Sequence, residues 1–353
     1  MKRILKVVLI VILVPAVILG LIIAYAAITK YKPAEREVIF SSDSSQVLPD
    51  SISLKFMIWN IGYCGLNKEM DFFYDGGKQV RPEKQQVIKN IAGVKSFLKQ
   101  NDTMDFIMIQ EIDVKSHRSY KIREIDSFAN TLPAFRNYYS KNYDVFFVPV
   151  PFREPMGSVN SGIESYSKFQ PFLVERYSYP SHFAFPKNLF MLNRCFMVKH
   201  FKLSNCKELL VINTHNSAYD PGGLLRKTEM DYFKNYLQEQ YNKGNYVIVG
   251  GDWNQSPAGF SPSFTGHPFD TIDVTYIQDK YLPPNWTWLF DKTMPSNRRV
   301  DKPYDPQTTL TTVIDFYLLS PNIESISVKT IDLGFENSDH NPVVARIKLK
   351  GKQ

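Results

Sequence analysis

The sequence predicts a layered α/β domain with mixed β-sheets, preceded by one membrane-spanning helix. Three observations carry this. An apolar run of helical length stands near the N-terminus. Beyond it, short strand-like runs alternate with stretches of helical periodicity. Two of those strand-like runs lie close enough to pair as a hairpin. Hydrophobic residues at 44% and charged residues at 22% exclude a disordered chain. An aromatic content of 14% supplies ring area for a large core.

The apolar run covers residues 7–28, broken only by Pro15 and Tyr25. At about 1.5 Å per residue it spans roughly 33 Å, against a bilayer core of about 30 Å. Lys2, Arg3 and Lys6 precede it, so the positive-inside tendency keeps the N-terminus in the cytoplasm and exports the remainder of the chain. Glu35 and Glu37 offset Lys30 and Lys32 on the far side. The competing reading is a cleaved signal peptide, with Ala24-Tyr25-Ala26 as the cleavage site and a secreted product. The run is longer than the ~7–15 residues of a signal core, which favours an anchor in residues 1–32. Either way the body lies outside the cytoplasm, periplasmic or extracellular.

A linker rich in Ser, Asp and Pro is expected over residues 33–52, and one domain over residues 53–350. Residues 53–60 (SLKFMIWN) read as a strand. Residues 83–100 carry Val87, Ile88, Ile91, Val94, Phe97 and Leu98 at helical spacing. Residues 105–110 are a strand, and residues 119–132 a helix with Ile122, Ile125, Phe128 and Ala129 on one side. Strands are expected at residues 143–148, 194–203, 208–213, 246–251, 313–319 and 343–349, with a helix at 224–242. The pair 195–203 and 208–213, joined by Ser-Asn-Cys-Lys, is the hairpin. Residues 170–192 are aromatic enough for an interfacial loop, with core packing as the plainer alternative.

The net charge of +7 suggests a polyanion partner until it is divided along the chain. Five of the basic residues lie in residues 1–32 without an acid, leaving 37 basic against 35 acidic side chains. A strong non-specific grip on nucleic acid needs clustered Lys and Arg, and the body lacks that excess. Arg298, Arg299 and Lys302 form the one local patch that could hold phosphates. Cys64, Cys195 and Cys206 are too few for a disulfide framework or a zinc site. No base is placed to make Cys64 a nucleophile.

The chemistry shows in the residues that end the strands. Five apolar runs finish in polar groups: Trp59-Asn60, Gln110-Glu111-Ile112-Asp113, Asn213-Thr214-His215-Asn216, Gly251-Asp252-Trp253-Asn254 and Ser338-Asp339-His340-Asn341. In a sixth, Asp315 stands inside Val313-Ile314-Asp315-Phe316, where an unpaired carboxylate would be costly. One such end is an ordinary turn; several oxygen donors with two histidines are not. Oxygen donors without thiolates suit Mg²⁺, with Mn²⁺ or Ca²⁺ as alternatives, better than zinc. Histidine beside such a site supplies acid–base chemistry near neutral pH. Metal-assisted hydrolysis of a phosphate ester fits this set of groups. His117, His182, His200 and His267 have no motif around them and read as structural or solvated.

In this order, the six motifs resemble the endonuclease/exonuclease/phosphatase superfamily, over residues 59–343. The resemblance implies a four-layer α/β sandwich, two mixed sheets flanked by helices, with the site on one rim. It implies Glu111 as the principal Mg²⁺ ligand, Asn60 beside it, and Asp339 near the metal. Asp252 would position or activate the attacking water, and Asn254 would hold a phosphate oxygen. Asp315 would pair with His340. His215 would protonate the leaving group or stabilise the phosphorane. Two arrangements stay open: His340 as base, or His340 as a cation with Asp252 as base. Residues 161–167 fall where the resembled family has a central strand, and Arg194, before the next one, is expected to support the site from behind.

The resemblance fixes the bond better than the substrate. Thr311-Thr312-Val313-Ile314-Asp315 does not reproduce the Trp-Asp-Arg signature of the inositol phosphatase branch. Trp59-Asn60-Ile61-Gly62 lacks the second amide of the abasic-endonuclease branch. A phosphodiesterase acting on a phospholipid head group or on extracellular nucleic acid remains. A tethered binding module without catalysis is the alternative of another class. No obligate protein partner is evident.

Overall fold

The structure is a computed structural model that describes residues 2–220, 222–264, 266, 268–269 and 274–351; His267 lies outside them. Helix α1 (Lys2–Thr29) leads into strands β1 (Arg36–Ser41), β2 (Val47–Leu48) and β3 (Ser53–Asn60). Then come α2 (Lys84–Gln100), β4 (Phe106–Asp113), α3 (Glu124–Ala129), β5 (Arg136–Val148), β6 (Gly157–Ser167), β7 (Leu173–Ser178), β8 (Cys195–Leu203) and β9 (Glu208–His215). The chain continues through α4 (Leu224–Asn242), β10 (Tyr246–Asp252), β11 (Thr287–Leu289), β12 (Asn297–Arg298) and β13 (Thr311–Thr312). It ends with β14 (Asp315–Leu319), β15 (Ile323–Thr330) and β16 (Val343–Leu349).

Two βαβ crossovers frame the domain. In one sheet, ordered β15-β16-β3-β4-β6-β5, strands β3 and β4 run parallel with α2 between them in sequence. In the other, β1-β7-β8-β9-β10-β14-β11, strands β9 and β10 run parallel with α4 between them. All other pairings along these two orders are antiparallel, so both sheets are mixed.

Strand β3 shows why four layers form. Phe56 and Ile58 point into the space between the sheets, with Phe106, Met108, Val211, Ile248 and Tyr317. Met57 and Trp59 point the other way, onto Val94 and Leu98 of α2. A strand buried on both faces reads as a continuous apolar run, which SLKFMIWN is from Phe56 onward. On the opposite outer face, Phe196 and Trp253 pack against Phe233 and Leu237 of α4. The expected mixed-sheet α/β architecture is present, with the apolar helix ahead of it.

Several elements differ from expectation. Residues 33–52 carry β1, which pairs with β7, and β2, which pairs with β8. Polar composition suggested a linker, but an edge strand is solvated on one side and carries the same residues. The helix expected over 119–132 shortens to α3, because Tyr120 and Lys121 take positive φ (55° and 59°) and break the first turn. The strand expected over 313–319 starts only at Asp315. Part of the aromatic stretch 170–192 is not loop but β7.

Candidate active site

The crossovers bring the carboxyl ends of β3, β4, β9 and β10 to one rim, the place where open α/β sheets bind ligands. Asn60 ends β3 and is buried; its Nδ2 donates to Oδ2 of Asp252 at 2.9 Å and reaches Oε1 of Glu111 at 3.4 Å. Its Oδ1 accepts from the Gly62 amide at 2.9 Å. Gly62 has φ of 49°, and a Cβ there would stand 2.7 Å from Oδ1 of Asp339. A glycine therefore lets the loop after β3 close against Asp339.

Glu111 sits where β4 slips register against β6, between Ile109 and Ile112, with φ of 55°. The irregularity turns its carboxylate to the rim instead of into the sheet. Behind it, Asp113 pairs with Arg118 at 3.0 Å and accepts from Ser119 Oγ at 2.8 Å. The Arg118 guanidinium lies 3.6 Å from the Tyr63 ring centroid.

His215 ends β9, with Nε2 3.5 Å from Asp252 Oδ2 and 3.7 Å from Glu111 Oε1. Burial, helped by the charges of Arg194, His340 and Arg118, holds its proton affinity well below the ordinary value, so the ring is neutral. Asp252 ends β10 and accepts from the Asn254 backbone amide at 2.9 Å. Burial pushes its carboxyl up to about 6; His340 opposes that and Asp315 adds to it. Gly251 permits the approach of β10 to β9, since a Cβ there would fall 2.0 Å from the Thr214 carbonyl oxygen. Asn254 has φ of 50°, and its Nδ2 donates to the Asn216 carbonyl at 2.9 Å.

Asp315 begins β14 and finds the partner it needed: Nδ1 of His340 donates to Oδ2 at 2.7 Å, and Ser296 Oγ donates to the same oxygen at 2.8 Å. His340 Nε2 is then aimed at the rim, 4.0 Å from Asp252 Oδ2 and 3.9 Å from Asp339 Oδ2. Burial alone would lower the ring's proton affinity, but Asp315 and then Asp339 outweigh it and push the value up to about 10. Asp339 is itself pushed up to about 7, by burial first and by Glu111, against His340 and Arg298.

All eight residues singled out in the sequence thus stand on one rim: Asn60, Glu111, His215, Asp252, Asn254, Asp315, Asp339 and His340. Periodicity could not show which groups hold them. Asn297 places Nδ2 3.0 Å from His340 Nε2, yet lies on a two-residue strand too short to carry a pattern. Ser296 precedes it. Gln110 Nε2 donates to Asn213 Oδ1 at 2.6 Å, linking the two sheets just beneath the rim. Trp59 Nε1 donates to the His340 carbonyl at 2.9 Å.

One expectation needs correction and another gains its reason. Arg298 is buried, and its guanidinium donates to the carbonyls of Asn67 and Met70 at 2.7 and 3.3 Å and of Arg299 and Lys302 at 3.1 and 3.2 Å. Lys302 Nζ donates to Thr308. Both cations close loops, so the patch offers little to a polyanion. Cys64 is fully buried, and burial pushes its thiol well above the usual range, which removes it as a nucleophile. His117, His182 and His200 stay away from the rim; His200 pairs with Glu175 and Glu208.

The donor set suits a divalent cation. Asp252, Asp315 and His340 offer ligand atoms within 4.8 Å of one another. Asp315 Oδ2 and His340 Nδ1 are engaged with each other, however. Glu111 and Asp339, close enough for the Glu111 charge to raise the Asp339 carboxyl, and Asp252 beside His340 remain as hard oxygen donors on the rim. Beside them opens a cavity of about 640 Å³, whose lining includes Glu111, Asp252 and His340 together with Tyr143, Phe183 and Leu192.

A sequence model of the Endonuclease/Exonuclease/phosphatase family matches residues 57–340. No curated protein sequence matches the chain. An endonuclease/exonuclease/phosphatase from Beutenbergia cavernae superposes with a TM-score of 0.57 at 15% identity, over 85% of this chain and 72% of that one. One from Bacteroides vulgatus gives 0.54 at 14% identity, over 84% of this chain and 99% of that one. ANGEL2, described as a 2',3'-cyclic phosphatase, gives 0.56 at 12% identity over 90% and 100%. At these identities the solved structures show a shared fold.

Proposed function

Because the chain belongs to the endonuclease/exonuclease/phosphatase family, we propose that it is a Mg²⁺-dependent phosphodiesterase, held to a membrane by α1 with its domain outside the cytoplasm. The observation that carries this is the surroundings of Asp252, whose Oδ2 has Asn60, His215 and His340 within 4.0 Å on the rim that bears Glu111 and Asp339. Glu111 and Asp339, with Asn60 beside them, would hold the cation. Once bound, it would polarise a phosphate oxygen and neutralise charge developing there.

The chain's own groups do the rest. Asp252, oriented by Asn60 and by the Asn254 amide, takes the proton of the attacking water. His340, oriented by Asp315, presents Nε2 to the phosphate and stabilises its charge. His215, neutral by burial, donates a hydrogen bond to the leaving oxygen. The Asn254 side chain holds a phosphate oxygen with the amide hydrogen not given to Asn216. The lining favours a phospholipid ester over a polynucleotide. Aromatic and aliphatic side chains such as Phe72, Tyr143, Phe183 and Leu192 line the cavity with the carboxylates, and of its lining cations Arg118 is paired with Asp113 while Arg226 and Arg298 donate to backbone carbonyls.

The test is full-length protein in vesicles, assayed with Mg²⁺ and with EDTA on sphingomyelin and on plasmid DNA, with His340→Ala as control. Mg²⁺-dependent cleavage of sphingomyelin that the variant loses supports the reading. Cleavage of DNA instead moves the substrate to nucleic acid. A folded protein that turns over no phosphate ester at all overturns it in favour of a binding module.

A further inference from the structure

The segment between the apolar helix and the first sheet is bound to the domain rather than free. Tyr25, in the last turns of α1, packs edge-to-face on Phe146 with ring centroids 4.5 Å apart, and Ala26 is only 2% exposed. The carbonyl of Tyr31 accepts from Asn193 Nδ2 at 3.4 Å, and the Lys141 ammonium lies 5.0 Å from the Tyr31 ring centroid. The carbonyl of Ala34 accepts from Ser178 Oγ at 2.7 Å, that of Glu35 from the Ser178 amide at 2.8 Å, and pairing of β1 with β7 begins at Arg36. A helix joined this closely does not let the domain turn freely. One face of the domain must meet whatever surrounds the helix end.

That face is apolar and aromatic. Tyr25 stands three residues before Ile28, about 4.5 Å along the helix axis, so Phe146 sits level with the end of the apolar run. Beyond Phe146, the turn after β5 exposes Val150 and Phe152, the latter at 95%. The neighbouring loop exposes Phe185 at 67%. Lys187 in that loop lies over the Phe183 ring at 4.1 Å, and Lys30, Lys32 and Arg153 add cations against Glu35 and Glu154. Exposed aromatics among cations are the composition of a bilayer interface.

The same two segments wall the catalytic cavity. Tyr143, three residues and about 10 Å up β5 from Phe146, lines it, as do Phe183 and Leu192 on either side of Phe185. Tyr143 Oη donates to the Phe190 carbonyl at 2.8 Å, which ties the loop to the strand.

We propose that the turn between β5 and β6 and the loop 179–192 form a lipid-docking face. It holds the cavity mouth against the bilayer, so that the ester is taken from head groups of the leaflet in which α1 ends. This rests on the anchored phosphodiesterase reading and specifies how its substrate arrives. The occupant is a phospholipid surface because the apolar helix ends within the face itself.

The experiment uses the full chain in phosphatidylcholine vesicles containing sphingomyelin, comparing native protein with Phe152→Ser/Phe185→Ser. Hydrolysis is read on the vesicle lipid and on soluble bis(p-nitrophenyl) phosphate. Separately, Phe152→Trp is read by fluorescence quenching with brominated phosphatidylcholine. The double variant should lose at least about tenfold on the lipid and nothing on the soluble ester, as expected when two rings leave the interface. The tryptophan introduced at 152 should be quenched. Unchanged lipid hydrolysis without quenching would overturn the docking face and leave the hydrolase standing. Quenching without hydrolysis of either ester would support the face and overturn the hydrolase reading. A lipid-specific loss without quenching overturns the face and leaves the two rings to contact the lipid only after it has left the bilayer.

Discussion

Oδ2 of Asp315 lies 2.7 Å from Nδ1 of His340, although the two residues come from β14 and from the loop before β16. The contact answers two needs at once. It gives a carboxylate at the head of an apolar strand its partner, and it fixes which imidazole nitrogen faces the rim. Ser296 holds the same oxygen and also accepts from the amides of Ile314 and Asp315, so the pair is set from three sides.

Asp315→Asn should therefore lower kcat by roughly 10²- to 10⁴-fold with little change in KM, the range for loss of positioned acid–base or charge-stabilising groups. Steady-state kinetics on sphingomyelin vesicles, with circular dichroism to establish folding, checks this. An unchanged kcat would remove the pair from the mechanism.

Mg²⁺ should raise Tm without any substrate, because it would relieve the repulsion between Glu111 and Asp339. At a concentration a hundred times Kd the gain is about 2.7 kcal/mol. Glu111→Gln should shrink the shift at each Mg²⁺ concentration. Differential scanning calorimetry with and without EDTA reads both, and identical shifts in the two proteins would place the cation elsewhere.

Glu164 predicts a pH dependence of stability away from the rim. Burial pushes its carboxyl up to about 8, against hydrogen bonds from Tyr166 and Asn137. The folded state then holds a proton that the unfolded chain releases near pH 4.5. The stability it confers is complete below that pH and is lost as pH rises toward 8, at roughly 1.4 kcal/mol per unit. Urea titrations from about pH 5 to 8 should show a flatter profile for Glu164→Gln than for the native chain.

Lys199 behaves in the opposite sense. It is fully buried, its Nζ has no hydrogen-bond partner among the described residues, and burial pulls its proton affinity well below the ordinary value. The unfolded chain binds the proton that the folded one rejects, so stability rises with pH until the free lysine also deprotonates. Lys199→Met should stabilise the protein at about pH 7 by roughly 1–4 kcal/mol, with the gain shrinking toward about pH 10. Chemical denaturation at the two pH values measures it, and equal gains at both would refute the account.

Local chemistry was legible in the sequence, because a strand end is a local event. Trp59-Asn60, Gly251-Asp252 and the other polar terminators of apolar runs together marked the strand ends and carried the resemblance that implies one rim, and Asp315 inside its run announced a missing partner. The parallel crossovers came from strand, helix and strand in succession. Partners distant in sequence left no such trace. Asn297 beside His340 and the Gln110–Asn213 link are contacts between residues 43 and 103 apart, decided by which elements pack together. Arg298 and Lys302 read as a phosphate patch because charge is visible in sequence while the carbonyls that neutralise it are not. Residues 33–52 read as a linker for a related reason. An edge strand and a solvated tether have the same polar composition, and only the free edges of β7 and β8 turn that segment into sheet. The tertiary structure thereby decided what the sequence could not, that the apolar helix is joined to the domain without slack and in one orientation.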